Sequence, residues 1–548
     1  MSGVSRSSPR VLLVFPRFNH NSFWSFKEAC ELFGARCPAP PLGLITLAAL
    51  LPSSWDLRLV NRNAEDLTDA DIAWAELVLT GGMPPQQIDT LAVMAMCRAE
   101  GKPVCVGVPD PTSNPDVYAH ADFRVLGEAE GIIDSFVEAW NAGARSGRFE
   151  APKFQADVTR SPIPRFDLLD FNHCLYVGVQ FSRGCPFTCE FCDIIELYGR
   201  VPRTKSNAQM LAELDRLLAL GYRGHVDFVD ENLIGNKKAI KRFLPELKVW
   251  QERNGYPFRF STEASLNLAD DAELLQMMRE ANFFVVFVGI ESSDEATLVA
   301  TQKKQNTRRS IAESVARIYK AGMFVTAGFI VGFDTERGSM AGAMVDCIDA
   351  TRIPVAMVGL LHALPNTQLM RRLTREGRLF EGYNLTPAEV GDQCTGGLNF
   401  VTLRPRREIL ADYRQVLLQI YEPSAFFRRV RALGRMLDRP TFGTKPRWQA
   451  VLRDLRLLGR TCWRMTVKRP ELARHFCAAF LDIARHNPRA LDLVIMNMVV
   501  YLHLYPFSRH VIRELDSRIA EIDEGRWAEP ATLLPGPATE KTALAAVA

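Results

Sequence analysis

Cys185, Cys189 and Cys192 lie in the run FSRGCPFTCEFCDII with the spacing CxxxCxxC. Thiolates are the protein ligands of iron–sulfur clusters, and a [4Fe–4S] cube held by three of them keeps its fourth iron free of protein. An iron with an open position can chelate a substrate or a cofactor. A structural zinc site is the competing reading. Such sites are closed by four ligands, and the nearest further donors, His173 and Cys174, lie upstream in a separate segment. Downstream, four acids stand in short polar runs: Asp230 and Glu231 in VDENLIGN, Glu263 in STEAS and Glu291 in GIES. An anionic acceptor is what a cationic amine needs. Taken singly, each acid could equally cap a helix or pair with a surface lysine. His362 and Tyr198 could serve a substrate or be buried structural groups.

These residues need a frame that brings them together. From 176 to about 365 strand-like and helix-like stretches alternate. The strand candidates are YVGVQFS (176–182), HVDFVD (225–230), FRFSTEA (258–264), FFVVFVGIE (283–291), FVTAGFIVGF (324–333) and VAMVGLL (355–361). Helices are expected at 206–220, where Ser206 can cap and Gly221 can stop the turn, and at 308–321, which ends at Gly322. The pattern predicts a partial (β/α)6 barrel over 176–390. Parallel barrels carry their chemistry at the carboxyl ends of strands. The cysteine loop leaves the first strand there, Asp230-Glu231-Asn232 ends the second, Glu263 the third and Glu291 the fourth, and Gly332 follows the fifth.

Residues 1–150 read as a second α/β unit, a Rossmann-like (flavodoxin-like) domain. Its strand candidates are 11–16, 57–61, 77–81, 103–107 and 123–127, with helices at 42–51 and 87–101. Ligands of such sheets sit beyond the strand carboxyl ends. The turns there carry Thr80, Gly81 and Gly82, then Gly107, then Gly127. No GxGxxG follows the first strand, which disfavours a nicotinamide cofactor. Residues 151–175 contain SPIPRFDLLDF, whose two prolines suit a connecting segment, and read as a linker. Residues 391–525 read as mostly helical, and 526–548 as a disordered tail.

Composition is that of a soluble protein: 47% hydrophobic and 24% charged in 548 residues. The chain has twelve cysteines, scattered outside the CxxxCxxC run, which suits a reducing cytoplasm. The most apolar stretch, 491–505, is interrupted by Asp492, Asn497 and His503 and reads as a packed helix. Net charge is +3, yet 424–475 holds 14 Lys/Arg against 3 Asp/Glu. Basic residues mixed with Phe, Leu and Trp over 425–475 suit a peripheral contact at the inner membrane surface. They suit a solvated helix face as well, and nucleic acid is a third reading.

The cysteine spacing, with Phe191 before the last cysteine, resembles the radical S-adenosylmethionine (SAM) superfamily. The resemblance implies that the cluster binds and reductively cleaves SAM. It gives the methionine amine to Asp230 and Glu231, nearby ribose and methionine contacts to Glu263 and Glu291, and adenine contacts to Phe191, Gly328 and Gly332 of GFIVGFDTE. PAPPLGLITLAALLP (38–52), GVPDPT (107–112) and VLGEAEG (125–131) resemble a cobalamin-binding domain, which implies cobalamin held near Thr80, Gly81, Gly82, Gly107 and Gly127. The DxHxxG motif of that domain is absent, and the histidines here are His20 and His120, so cobalamin is expected to bind without a protein imidazole.

ELYGRVPRTKS, TEASLNLADD and TQKKQNTRRS resemble the hopanoid C-2 methylases in particular. That resemblance implies methylation of an unactivated carbon, C-2 of the hopanoid A ring. One SAM would supply the methyl group via methylcobalamin and a second the 5′-deoxyadenosyl radical. The implied partners are a hopanoid or other triterpenoid lipid and a flavodoxin- or ferredoxin-type reductant. Alternatives are a cobalamin-dependent oxidation or rearrangement, another lipid or natural-product substrate, an electron carrier, and an RNA-modifying radical enzyme. The last would want a second cysteine trio, which Cys30, Cys37, Cys97 and Cys105 do not supply.

Overall fold

The first strand, β1 (Arg10–Phe15), is flanked by β2 (Asp56–Asn61) and β3 (Leu77–Thr80), and the sheet continues through β4 (Val104–Gly107), β5 (Phe123–Leu126) and β6 (Gly147–Glu150). All pairings are parallel. The computed structural model describes residues 8–19, 21–107, 109–385, 393–442 and 448–533. Near-continuous apolar runs such as VLLVF are what a sheet covered on both faces requires. Val11 and Leu13 pack toward Phe123, Phe136 and Trp140, while Leu12 and Val14 pack toward Val93, Cys97 and Tyr118. The order β2-β1-β3-β4-β5 is flavodoxin-like, with its crevice at the carboxyl ends where β1 meets β3. Strand β6 was not expected. Its sequence GRFE alternates half-buried and exposed positions at the sheet edge, and lacks the apolar run that marks the others.

The central unit opens with β7 (Val177–Val179). A short antiparallel hairpin, β8 (Ser182–Arg183) with β9 (Arg203–Thr204), then brackets the cysteine loop. β10 (Gly224–Phe228), β11 (Phe258–Glu263), β12 (Phe283–Glu291), β13 (Phe324–Val331) and β14 (Ala356–Leu360) follow, and the six long strands pair in sequence order. This is the open six-stranded barrel that the alternation predicts. Phe228, Phe260 and Phe283, one each from β10, β11 and β12, form one buried cluster with ring centroids 5.4–5.5 Å apart. Helix Asn207–Ala219 starts at a capping box between Ser206 and Gln209.

Five long helices follow the barrel: Arg406–Ile420, Pro423–Met436, Trp448–Trp463, Pro470–His486 and Leu491–Asp523. The second of these corrects the membrane reading of residues 425–437. Phe426, Phe427, Val430 and Leu433 are buried, and Arg429, also buried, donates to the Ile353 carbonyl at 2.9 Å and to Asp349 at 3.0 Å. Its basic residues are spent internally. Pro488–Asp523 is long and apolar enough to cross a bilayer, but more than half of its 18-residue apolar window is buried. Asn497 donates to the Leu493 carbonyl and His503 bonds the Phe23 carbonyl at 3.1 Å, so it is the spine of the helical unit. The tail expected from 526 is ordered further than that. Glu381 donates to the Ala531 carbonyl and Leu533 to the Leu379 carbonyl, each at 2.8 Å, so 531–533 is pinned to 379–381.

Candidate active site at the barrel mouth

The cysteine loop is held by backbone bonds and by one buried acid. Asp230, just beyond β10, accepts from the Phe181 amide at 2.9 Å and from the Ser182 amide and hydroxyl. Both carboxylate oxygens are therefore occupied, and Asp230 is a loop anchor instead of the amine acceptor expected from sequence. Gly184 has φ +98°, and a Cβ there would lie 2.9 Å from the Gly199 carbonyl. Glu190 ties the far side of the loop: its amide donates to Thr301 at 3.0 Å, and its carboxylate meets Arg372 at 2.6 Å. Arg372 and Arg378 then share Asp334.

Polar groups converge on the sulfurs. The Asn232 amide nitrogen lies 3.8 Å from Cys185 Sγ and that of Gln305 lies 3.5 Å from Cys189 Sγ. Burial pushes the Cys185 and Cys192 thiols up, and the Lys303 ammonium is close enough to oppose this at Cys185. Among the described residues no three His, Cys, Asp or Glu side chains converge on a point as a mononuclear ion requires. Three thiols spaced around one loop, with amide donors to sulfur, fit a cluster whose cysteines bind different irons.

Beneath the loop the strands deliver acids to a common lumen. Glu231 is half-buried, its buried Oε2 has no hydrogen-bond partner, and desolvation pushes its carboxyl up to about 7. Glu263 keeps an accessible surface although protein surrounds it, so it faces the lumen. Burial, then the charges of Asp227, Glu231 and Glu291, push it up to about 8. Glu291 has φ +67° and bonds Lys303 Nζ at 2.7 Å. Gly289 makes room for that pair: a Cβ there would stand 2.2 Å from Glu291 Oε1 and 2.8 Å from Lys303 Nζ. Phe191 packs on Phe333 at 5.8 Å, with Lys303 Nζ 5.9 Å from its ring. A Cβ on Gly328 would lie 3.3 Å from the Phe287 ring. Gly332 (φ +105°) donates its amide to Glu336 and leaves space for Leu398. Tyr198 is close enough to Glu231 and Arg183 to feel their charges, and burial raises its phenol. His362 is held neutral by burial, at about 4, with Nδ1 unpartnered and Nε2 3.3 Å from Asn399.

A polar floor lies deeper. His225 Nε2 is 2.6 Å from Ser261 Oγ, which donates to Asp227, and the Tyr176 ring lies 4.9 Å from His225. Trp24 reaches this region from the first unit, its ring 5.8 Å from Phe287.

Glu263 gives a pH signature. A carboxyl held up at about 8 keeps its proton in the folded chain long after the unfolded chain, near the ordinary ~4.3, has lost it. The folded state then binds more protons, and stability falls as pH rises from about 4.3 toward 8. Glu263→Gln is expected to unfold at higher denaturant than wild type at pH 8 and at the same denaturant at pH 4, in titrations of the cluster-free protein.

The strand ends of the first sheet face this mouth. Arg183 of β8 bonds Glu130 at 2.7 Å and Glu128 at 3.2 Å, and Arg203 of β9 meets Glu128 at 2.8 Å. Gln87 donates to the Asn384 carbonyl and Asn366 to the Ser113 carbonyl, each at 3.1 Å. The crevice between the units is lined by the turns expected to hold cobalamin. Thr80 spends its hydroxyl on the Val14 carbonyl. Gly81 has φ +151° and Gly127 φ +84°. Cβ atoms at Gly82 and Gly107 would lie 2.6 Å from Gln86 and 2.9 Å from the Val125 carbonyl. Asp110 is locked by Tyr118, Asn114 and Gln87. Backbone and amides thus dominate the rim, which suits a large ligand bearing neutral amides. His120 is exposed, and its carbonyl accepts from Arg98 at the far end of helix Gln87–Ala99, away from the crevice. His20 and Val108 lie outside the described residues.

Residues 179–348 match the Radical SAM superfamily and 367–517 a domain of unknown function, DUF4070. The chain is 43% identical to an uncharacterized methyltransferase of Synechocystis sp. over 93% of its own length and 94% of that protein. It is 33% identical to the hopanoid C-2 methylase of Rhodopseudomonas palustris, over 93% and 95%. The chain belongs to the radical SAM methyltransferases.

The architecture of this radical SAM methyltransferase is shared with solved enzymes at low identity. The cobalamin-dependent SAM radical enzyme OxsB superposes with a TM-score of 0.57 at 14% identity, covering 95% of this chain and 82% of that one. The methyltransferase TsrM of Kitasatospora setae gives 0.56 at 16%, covering 86% and 100%. In this radical SAM methyltransferase, several site residues come from stretches whose composition gives no sign of a site. Lys303, Gln305 and Asn306 come from the polar run TQKKQN, and Gly289 lies two residues before Glu291. One signal was available for His225 and Asp227: polar residues at i and i+2 in a barrel strand must face a lumen.

Proposed function

We propose that the enzyme is a cobalamin-dependent radical SAM methyltransferase acting on an unactivated carbon of an apolar polycyclic lipid, C-2 of the hopanoid A ring. The observation that carries the reading is the juxtaposition of three thiols, an acid-lined lumen and a backbone-lined crevice closed over it by Arg183. In this reading Cys185, Cys189 and Cys192 hold the [4Fe–4S] cluster. Glu231 and Glu263, raised and without a cation of their own, receive the methionine amine. Phe191 and Gly328 give the adenine a flat, open wall, while Glu291 stays bound to Lys303 and fixes the strand end. Gly81, Gly82, Gly107 and Gly127 shape the corrinoid crevice, with no imidazole presented to it among the described residues. When bound, the cluster supplies the electron that cleaves SAM and cobalamin carries the methyl group. The chain itself orients, holds charge and excludes water. A flavodoxin- or ferredoxin-type protein would deliver the electrons.

Trp24, Phe287 and Val285 offer apolar contacts in the lumen. The 33% identical hopanoid methylase supports a triterpenoid substrate. The test is reconstituted enzyme supplied with SAM labelled in its methyl group and a hopanoid extract, alongside lipid profiles of cells with and without the gene. The expected product is a hopanoid heavier by one methylene unit that carries the label. SAM cleavage without label in lipid would move the reading to oxidation or rearrangement.

A further inference from the structure

Outside the barrel, six large apolar side chains are exposed on helices that adjoin one another in the chain or in space. Leu452, Leu455, Trp463, Val467 and Leu481 come from residues 452–481 and Phe33 from the adjoining helix Lys27–Phe33, and they are 41–66% exposed. Arg460 links the two pieces through the Leu32 carbonyl at 3.5 Å, and Arg464 through Glu31 at 3.4 Å. Cations border the apolar row: Arg456, Arg460, Lys468, Arg474 and Arg485 are all exposed. A cavity of about 410 Å³ opens among Glu28, Trp463, Arg464, Lys468, Arg469 and Leu502. Lys468 lies 5.0 Å from the Trp463 ring.

We propose that this face docks on an anionic phospholipid bilayer, with a lipid phosphate at Lys468 on the cavity rim, where Arg464 and Arg469 are shared with Glu31 and Glu471. Trp463, Val467 and Leu455 would enter the boundary between headgroups and acyl chains. Charge complementarity chooses an anionic partner, and the kind of apolar residue chooses between anions. Nucleic acid rewards aromatic faces that stack on bases. Four of the six apolar residues here are aliphatic, which gain from hydrocarbon and not from a base. Trp at the rim and Arg/Lys beside it is the composition of an interfacial surface. The helix Lys27–Phe33 also begins directly after Phe23–Ser25, whose Trp24 stands at Phe287 in the lumen. The face therefore adjoins the segment that leads into the barrel. Docking stands on these observations whether or not the substrate is a hopanoid.

Co-sedimentation of the full-length, cluster-reconstituted protein with vesicles tests it, using pure phosphatidylcholine against phosphatidylcholine containing phosphatidylglycerol. Binding is expected to the anionic vesicles alone and to weaken with added salt. Arg456→Gln with Lys468→Gln removes two surface charges and is expected to weaken binding about thirtyfold. Trp463→Ser with Val467→Ser weakens it while leaving the salt dependence in place. Both double variants should keep wild-type circular dichroism and reductive SAM cleavage. Equal binding to neutral vesicles, no binding, binding untouched by both variants, or tighter binding to RNA than to anionic vesicles would each overturn the proposal.

Discussion

Cys189→Ser is expected to leave a folded protein that retains almost no cluster iron after anaerobic reconstitution and cleaves SAM no faster than an enzyme-free control. Cys189 is buried, and its sulfur receives the Gln305 amide at 3.5 Å, with the Lys303 ammonium close by. A serine hydroxyl keeps the volume but is a poor ligand for a soft metal site. The remaining Cys185 and Cys192 would leave two irons without protein, and a cube so held is lost to solvent. Cys37 supplies the control. It is also buried and lies 3.4 Å from Cys174 Sγ, at a contact between the linker and the first unit. Cys37→Ser is expected to keep full cluster iron. Iron and sulfide content with product analysis reads both variants. Wild-type iron in Cys189→Ser would remove the loop from the chemistry.

Strand identity was legible because parallel strands covered on both faces leave long apolar runs, as in VLLVF and FFVVFVGIE. The rim of acids was legible for the same reason, since each polar residue that ends such a run must leave the core. What each acid does was not. Asp230 and Glu231 are neighbours, yet one faces the loop backbone and is fully bonded, while the other faces the lumen with an oxygen unpartnered. That difference is set by which way the chain turns after β10, and the residue types do not encode it. The loop TQKKQN shows the converse. Its polarity suggests a solvated turn, but Gln305 and Asn306 are buried, and Asn306 donates to the Gly289 and Ile290 carbonyls at 2.8 and 3.1 Å. A buried polar loop looks like a surface loop until its partners are known. The basic block divides likewise: Arg431 and Arg435 are spent on Asp482, whereas Arg456 and Lys468 face out.

The Glu291–Lys303 pair should show the largest purely structural effect at the site. Their charged atoms are 2.7 Å apart, and side-chain exposures are 12% and 11%. Burial works against the Lys303 charge, but Glu291 first, then Cys189, hold the ammonium well above its usual range. Glu291→Gln leaves that ammonium buried without its counter-ion. Breaking a buried pair on one side costs about 3–5 kcal/mol. With an unfolding entropy that scales with the 548 residues, the cluster-free protein is expected to melt roughly 3–4 °C lower. Glu291→Gln combined with Lys303→Met removes both charges and should recover most of that loss, because the desolvation of the stranded ion disappears with it. Activity separates the two contributions. If Lys303 only neutralises Glu291, the double variant recovers SAM cleavage along with its melting temperature. The geometry predicts otherwise, since Lys303 also flanks the Phe191 ring and the Cys189 sulfur. Stability should return while SAM affinity and cleavage stay low, and recovery of both would reduce Lys303 to a structural counter-ion.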